Sequence, residues 1–194
     1  MKIVIADYNP LWPFTFLKEK HLIDTALQGL SPVVEHIGST SVPGLAAKPV
    51  IDILVGLPDE SRLQQAIAPM MDSGYVYFKK YEPLMPYRRF FVRLIPAQGK
   101  TIPGLIDMND DFTGGKDFTS QTHIHMMVNH TYHFKRHIAF RDYLKIHPDV
   151  RDEYDVLKRE LAQMEFNDSL AYNDAKDSFV KQTERAALVW VERR

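Results

Sequence analysis

The residues best suited to chemistry lie in a short segment that runs from His36 to Val55. A turn rich in glycine and hydroxyl side chains opens it, with the residues Gly38, Ser39, Thr40 and Ser41. Backbone N–H groups free of side-chain bulk and serine or threonine oxygens can approach a phosphate group closely. Lys48 adds a positive charge nearby. The same composition is typical of an ordinary tight turn, so the turn alone leaves both interpretations open.

Asp52 is the second candidate, because its carboxylate interrupts the apolar run of residues 49–55. An ionised carboxylate is costly to bury unless it meets a metal ion, a cation or several hydrogen-bond donors. Odd buried charges are frequent at functional sites. We therefore interpret Asp52 as a candidate catalytic and metal-binding residue. The alternative is an ion pair with Lys48 or with an arginine.

Two further groups of polar residues fall on predicted strands. His123 and His125 are two residues apart and so face the same way, which suits joint contact with a metal ion or a phosphate group. The alternative is a pair of half-exposed histidines on a polar sheet face. Arg88, Arg89 and Arg93 lie on another strand, where a guanidinium group suits phosphate or carboxylate. Arg89 and Arg93 share one face, and the alternative role of these arginines is to discourage aggregation at a sheet edge.

Other spacings are less persuasive. His133 and His137 lie one helical turn apart, but the glutamate of a zinc-protease helix is missing, and we favour surface or packing roles for both. Residues 107–111 are similar to the start of a calcium loop. Phe112 takes the place of the required glycine and Phe118 that of the final acidic residue, so we reject calcium.

The composition restricts the function classes. The chain has 194 residues, 45% hydrophobic and 25% charged, which suits one well-buried core. With 24 basic and 25 acidic residues it presents no broad field for nucleic acid or an anionic membrane. The absence of cysteine excludes disulfides, zinc-thiolate sites and a cysteine nucleophile. No signal peptide and no apolar run of roughly 18 residues is found, and we expect a cytoplasmic protein.

Periodicity and turn residues predict the elements that position these side chains. Helices are expected at 10–29, at 59–74, and throughout the C-terminal third, at 133–146, 148–166 and from Asn167 or Asp168 to Trp190. Strands are expected at 33–37, 49–57, 75–78, 87–95 and 122–128. Residues 96–121 read as a long irregular segment, a functional lid or a disordered loop. We expect one domain, with a sheet core in residues 1–130 and a helical part in residues 131–194.

The segment Glu35 to Val55, EHIGSTSVPGLAAKPVIDILV, resembles the signature of the GrpB-like proteins, a branch of the nucleotidyltransferase superfamily. Similarity extends over almost the whole chain. Residues 8–13 resemble the opening of these proteins, residues 88–91 and 122–125 their middle, and residues 137–144 their helical end.

The resemblance implies an α/β (α+β) fold with a nucleotidyltransferase-like mixed sheet flanked by helices and a C-terminal helical extension. It also implies a Gly-Ser turn that opens a helix, and a strand that presents acidic metal ligands. In active members of the superfamily two carboxylates, separated by one strand residue, hold a divalent metal. Asp52 matches the first position, but Leu54 stands at the second and offers magnesium no oxygen. If His123 and His125 replace it, a metal that prefers imidazole is expected.

Three functions follow as hypotheses. The first is a metal-dependent nucleotidyl or phosphoryl transferase that acts on a nucleotide or another phosphorylated small molecule. Its expected residues are Gly38, Ser39, Thr40, Ser41, Lys48 and Arg88 for phosphate, Asp52, His123 and His125 for Mg, Mn or Zn, and Asp52 and Arg89 for catalysis. The second is a nucleotide- or coenzyme-A-binding module that has lost transfer chemistry, as Leu54 suggests. The third is a metal-dependent phosphodiester hydrolase centred on the two histidines.

Overall fold

The computed structural model describes residues 2–110, 112, 116–167 and 169–194, and for residues 169 and 170 the backbone only. A six-stranded mixed sheet forms the centre of this part. Its strands are β1 (Val33–Ile37), β2 (Ile51–Leu57), β3 (Val76–Phe78), β4 (Arg88–Pro96), β5 (Leu105–Ile106) and β6 (Phe118–Val128). The helices are α1 (Trp12–Ala26), α2 (Glu60–Gln65), α3 (Ile67–Asp72), α4 (Tyr132–Ile146), α5 (Pro148–Ala162), α6 (Ser169–Ala175) and α7 (Asp177–Glu192).

The strand order across the sheet is β1-β2-β6-β4-β3-β5. The two central strands, β2 and β6, run parallel to each other. β1 is antiparallel to β2, and β4 is antiparallel to β6. Strands that are distant in sequence therefore lie side by side at the centre of the sheet.

The larger apolar core lies on the sheet face that α1, α2 and α3 cover. Alternate residues of a strand point to opposite faces, and Ile53 of β2 and Ile124 of β6 enter this core fully buried. The residues that flank them along each strand point to the other face: Asp52, Leu54, His123 and His125.

The helices of the C-terminal third cover this second face. Leu54 is fully buried beside α4 in an apolar cluster with Ile37, Met127 and Phe134. Another cluster ties α4 and α5 to the segment that follows β1, through Val42, Leu45, Leu144 and Tyr154. The expected mixed sheet with flanking helices is thus confirmed. No helix in the described part combines the length and apolar character needed to cross a membrane.

Three expected elements differ in the structure. The helix expected at 59–74 is divided into α2 and α3, because Pro69 has no N–H with which to continue the hydrogen-bond ladder. Residues 96–121 are not irregular throughout, since they contain β5 and the first residues of β6, 118–121. The last helix is interrupted at Lys176. Asp111 and Asp168, named above for a calcium loop and a helix cap, lie outside the described residues.

Candidate functional site

Asp52 lies at the centre of a cluster of polar side chains on the second face of the sheet. Parallel pairing places it beside His123 and places Leu54 beside His125. Asp52 Oδ1 is 3.4 Å from Nδ1 of His123 and 3.9 Å from Nε2 of His125. Loss of solvent raises the pKa of Asp52, but the two histidines outweigh this and hold that pKa well below its usual range. The carboxylate is therefore ionised at any physiological pH.

Gly38 allows the turn after β1 to approach this carboxylate. Its φ of +69° lies in the left-handed region, which favours glycine. A Cβ at this position would overlap Oδ2 of Asp52 and lie 2.9 Å from its Cβ. Glycine is thus required here for both its backbone conformation and its lack of a side chain.

The three hydroxyl residues that follow form a short 3-10 turn, Ser39–Ser41, where the resemblance implied the start of a longer helix. Ser41 Oγ donates to the carbonyl of Gly38 at 2.6 Å, and Thr40 Oγ1 lies 3.0 Å from Nε2 of His36. Thr40 and Ser41 are buried, so their hydroxyls hold the turn in shape. Ser39 instead lies near Tyr154: burial raises the pKa of Tyr154, and the Ser39 side chain opposes this rise.

Two lysines, Lys48 and Lys176, lie within electrostatic range of Asp52. The ammonium groups of Lys48 and Lys176 lie 6.0 Å and 4.7 Å from the ring centre of Tyr172. Burial lowers the pKa of Lys48, and it lowers that of Lys176 to about 8, while Asp52 opposes both shifts. Neither lysine forms an ion pair within 4.0 Å of a described carboxylate. Nothing in the sequence singled out Lys176, which follows the end of a short helix.

Arg88 approaches the cluster from β4. Its Nη1 lies 3.1 Å from Nδ1 of His125, and its guanidinium lies 4.9 Å from the ring centre of Phe90. Arg88 Nε is buried and has no hydrogen-bond partner. Arg88 is therefore a cation with hydrogen-bonding capacity to spare at the site.

The structure does not bring Arg89 to Asp52. Strand alternation directs Arg89 to the opposite face, where its Nη1 donates to the carbonyl of Pro86 at 2.9 Å and its Nε lies 3.6 Å from Glu82. Arg93 shares that face and pairs with Glu19 at 3.0 Å. Of the three arginines, only Arg88 is placed beside the histidines.

His137 of α4 completes the cluster, a role that its spacing from His133 did not predict. Its ring centre lies 5.8 Å from that of His125. Burial, and then the positive field of neighbouring side chains, lowers the pKa of His137 well below its usual value, and burial also lowers the pKa of His125. Both rings are consequently neutral near pH 7. His133 instead stacks on Tyr87, with ring centres 3.5 Å apart.

The residues expected to bind metal lie together but are not arranged as a metal site. Among the described residues no three histidine, aspartate or glutamate side chains could hold one ion. Asp52 Oδ1 lies 3.4 Å from a ring nitrogen of His123 and 3.9 Å from one of His125, so the carboxylate interacts directly with both imidazoles. Leu54 supplies no oxygen and is enclosed by apolar side chains. Metal binding by Asp52, His123 and His125 therefore stays a prediction.

Helix α5 fixes the backbone just before Lys48. Asp155 Oδ1 accepts a hydrogen bond from the N–H of Ala46 at 2.7 Å, and Lys158 Nζ donates to the carbonyl of Ala46. Lys158 is 2% exposed, and burial lowers its pKa to about 7. The backbone of Ala46 is thus held at both its N–H and its carbonyl by side chains of one helix.

The protein is of the α/β class: a mixed sheet has helices on both faces, and a Gly-Ser turn packs on a single strand carboxylate. The chain belongs to the GrpB family: residues 2–186 match the family described as GrpB protein. It is also similar to a solved structure, the conserved protein GrpB from Enterococcus faecalis. The two share 30% sequence identity with a TM-score of 0.76, over 97% of this chain and 99% of that one.

Relatives of known sequence extend the comparison. UPF0157 protein YqkA of Bacillus subtilis is 32% identical over 189 residues, which cover 97% of this chain and 48% of that protein. UPF0157 protein PA4798 of Pseudomonas aeruginosa is 34% identical over 187 residues, which cover 96% of this chain and 68% of that protein. The chain thus spans about half the length of the Bacillus relative. A more distant match, 26% identical over 189 residues and 46% of the relative, is named dephospho-CoA kinase, from Mycolicibacterium paratuberculosis.

Proposed function

We propose that this chain binds the phosphate groups of a nucleotide- or coenzyme-A-type ligand around Asp52. The observation that carries the proposal is the set of cations without a carboxylate ion pair that surround this residue: Lys48, Lys176 and Arg88. Partial burial of positive charges that lack partners is unfavourable. A bound phosphate would remove that cost by accepting charge-assisted hydrogen bonds.

Cations elsewhere in the described part support this interpretation by contrast. Most partly buried arginines near the sheet and its covering helices have an acidic partner within 4.0 Å, namely Arg89 with Glu82, Arg93 with Glu19, Arg136 with Glu184 and Arg141 with Glu35. Among the partly buried arginines of the described part, Arg88 is the one that lacks such a partner. We infer that the missing negative charge comes from a ligand.

The choice of nucleotide- or coenzyme-A-type ligands rests on the comparison with one relative. This chain matches 46% of the length of a protein named dephospho-CoA kinase, and by that name the relative acts on a coenzyme-A-type nucleotide. Tyr172 lies beneath both lysines but is 2% exposed, so it supports the lysine side chains and is not a stacking surface for the ligand.

Thermal unfolding with ATP, dephospho-CoA, coenzyme A and pyrophosphate, each with and without Mg, Mn or Zn, tests the proposal. A ligand that binds only the folded state stabilises it by about 2.7 kcal/mol when present at about 100 times its Kd. We expect such a shift for at least one of these ligands, and a weaker one in Lys48→Met and Lys176→Met. Lys181→Met is the matched control, since Lys181 is exposed on α7 and pairs with Asp177. Equal shifts in all variants, or none in the unmodified protein, would overturn the proposal.

A second candidate function, phosphoryl or nucleotidyl transfer, is favoured by the contact between Asp52 and His123. The carboxylate orients Nδ1 of His123, which leaves Nε2 free to accept a proton from an attacking hydroxyl group. Turnover of nucleoside triphosphates should then require His123 and be lost in His123→Gln while ligand binding is retained. Dependence on Mg, Mn or Zn, with metal affinity lost in His125→Ala, would show that Asp52 and the histidines rearrange around an ion. If the ligand binds but is not turned over with any of these metals, the transfer function is refuted and only the binding function stands.

A further inference from the structure

A groove of about 650 Å³ lies on the other side of the turn that follows β1, away from Asp52. One wall is α1, the other is α4, and the floor is β1. Ser41 and Pro43 close one end. Its size is within the range of small-molecule sites, and neither Asp52 nor Lys48 lines it.

The two walls differ in chemistry. Phe16 and Leu17 make most of the α1 wall apolar, and Leu17 is 55% exposed. Lys20 also lies on this wall, where it pairs with Asp24 at 3.0 Å. The opposite side carries the cations Arg141, Lys145 and Arg151. An apolar wall that faces a cationic one is complementary to an amphiphilic anion.

The charges of the groove are unbalanced. Glu35 is the carboxylate in its lining, and it already pairs with Arg141 at 2.6 Å. Arg151 pairs with Asp152, which lies outside the lining and is 68% exposed. Lys145 has no carboxylate within 4.0 Å among the described residues. Burial, and then Arg141, lowers the pKa of Lys145, as expected for a cation in a positive field.

The groove and the polar cluster around Asp52, called the Asp52 pocket below, lie on either side of the turn that follows β1. They share no ligand-facing side chain. His36 lines the groove, stacks on Phe16 with ring centres 4.8 Å apart, and contacts Thr40. Ser41 lines the groove and bonds back to Gly38, on which Asp52 packs. A ligand in the groove therefore contacts the opposite side of the turn that shapes the Asp52 pocket.

We propose that this groove is a second ligand site, which binds an organic anion that carries a flat or aliphatic apolar group. The anionic end lies at Lys145 and Arg151, and the apolar group lies against Phe16 and Leu17. The proposal does not depend on phosphate binding at Asp52.

Ligand-observed NMR with phenyl phosphate and phenylacetate tests this proposal, with benzyl alcohol and inorganic phosphate as partial probes. We expect both aromatic anions to bind with about millimolar affinity and both partial probes to bind at least about tenfold more weakly. Lys145→Met should weaken the aromatic anions about tenfold by removing charge. Leu17→Glu should do so by placing a repelling charge on an exposed position that the fold does not need. Lys181→Met serves as the charge-matched control.

Lys48→Met separates the two sites. Phenylacetate, which carries no phosphate group, should bind this variant as it binds the unmodified protein, because Lys48 does not line the groove. Loss of phenylacetate binding in Lys48→Met with retention in Lys145→Met would assign the anion to the cluster around Asp52 and overturn the proposal. Equal binding of benzyl alcohol, or no binding of either aromatic anion, would overturn it as well.

Discussion

Replacement of Gly38 by alanine should be unusually destabilising, because the new Cβ meets both a backbone restriction and the Asp52 carboxylate. A left-handed backbone costs a non-glycine residue about 1–2 kcal/mol. Overlap in a packed site adds about 1–3 kcal/mol, and the Cβ would lie 2.9 Å and 3.0 Å from Cβ and Cγ of Asp52. The reduced freedom of the unfolded chain returns about 0.4–1 kcal/mol. We expect a net loss of roughly 2–4 kcal/mol in the free energy of unfolding.

Gly99→Ala is the matched control for the backbone restriction. Gly99 has a similar φ of +78°, but a Cβ there would meet no atom within 4 Å. Its substitution should therefore cost only about 0–2 kcal/mol. Urea unfolding, followed by circular dichroism, measures both values.

A double-mutant cycle assigns the additional cost to the carboxylate. Asp52→Gly removes all the atoms that the new Cβ would overlap. In that background Gly38→Ala should lose about 1–3 kcal/mol of its effect. The reasoning is refuted if Gly38→Ala costs no more than Gly99→Ala, or if Asp52→Gly leaves its cost unchanged.

Three other predictions concern the charges of the site. Lys158 has a folded-state pKa of about 7, below its unfolded value, so its contribution to stability should rise from about pH 7 to about pH 10. The free energy of unfolding of Lys158→Met, relative to that of the unmodified protein, should therefore be about 2–3 kcal/mol higher at about pH 6.5 than at about pH 9 in urea unfolding. A difference that does not change with pH would contradict the burial of this amine. Phosphate binding should raise the pKa of Lys176 from about 8, so the protein should take up protons on binding near that pH. Calorimetry should show this uptake as a binding enthalpy that varies with the buffer, and buffer-independent enthalpies would refute the prediction. Arg88→Met should weaken nucleotide binding about tenfold, whereas Arg89→Met, one residue along the same strand, should not; the reverse order in a titration would show that the opposite face holds the ligand.

Much of the fold was predictable, because its signals are local. The strands before and after the Gly-Ser turn, the helix that precedes them and two of the C-terminal helices follow from hydrophobic periodicity and capping residues over short windows. Strand β5 was missed, since two residues in a Pro- and Gly-rich segment have no period and are held by pairing with β3 and by burial of Ile106. The family was evident from one segment, residues 35–55, and is confirmed by the match over residues 2–186.

The sequence by itself determined which residues can do chemistry and which of them share a strand face. Strand alternation already placed His123 and His125 on one face of their strand and Arg88 and Arg89 on opposite faces of theirs. Only the tertiary structure decided that β6 pairs with β2 in the register that brings His123 to Asp52, and that β4 directs Arg88, and not Arg89, to the same face. It also decided that Lys176 and His137 join them. Side-chain type and strand period are properties of a few neighbouring residues, whereas these contacts join residues 12 or more positions apart and depend on how the whole chain packs.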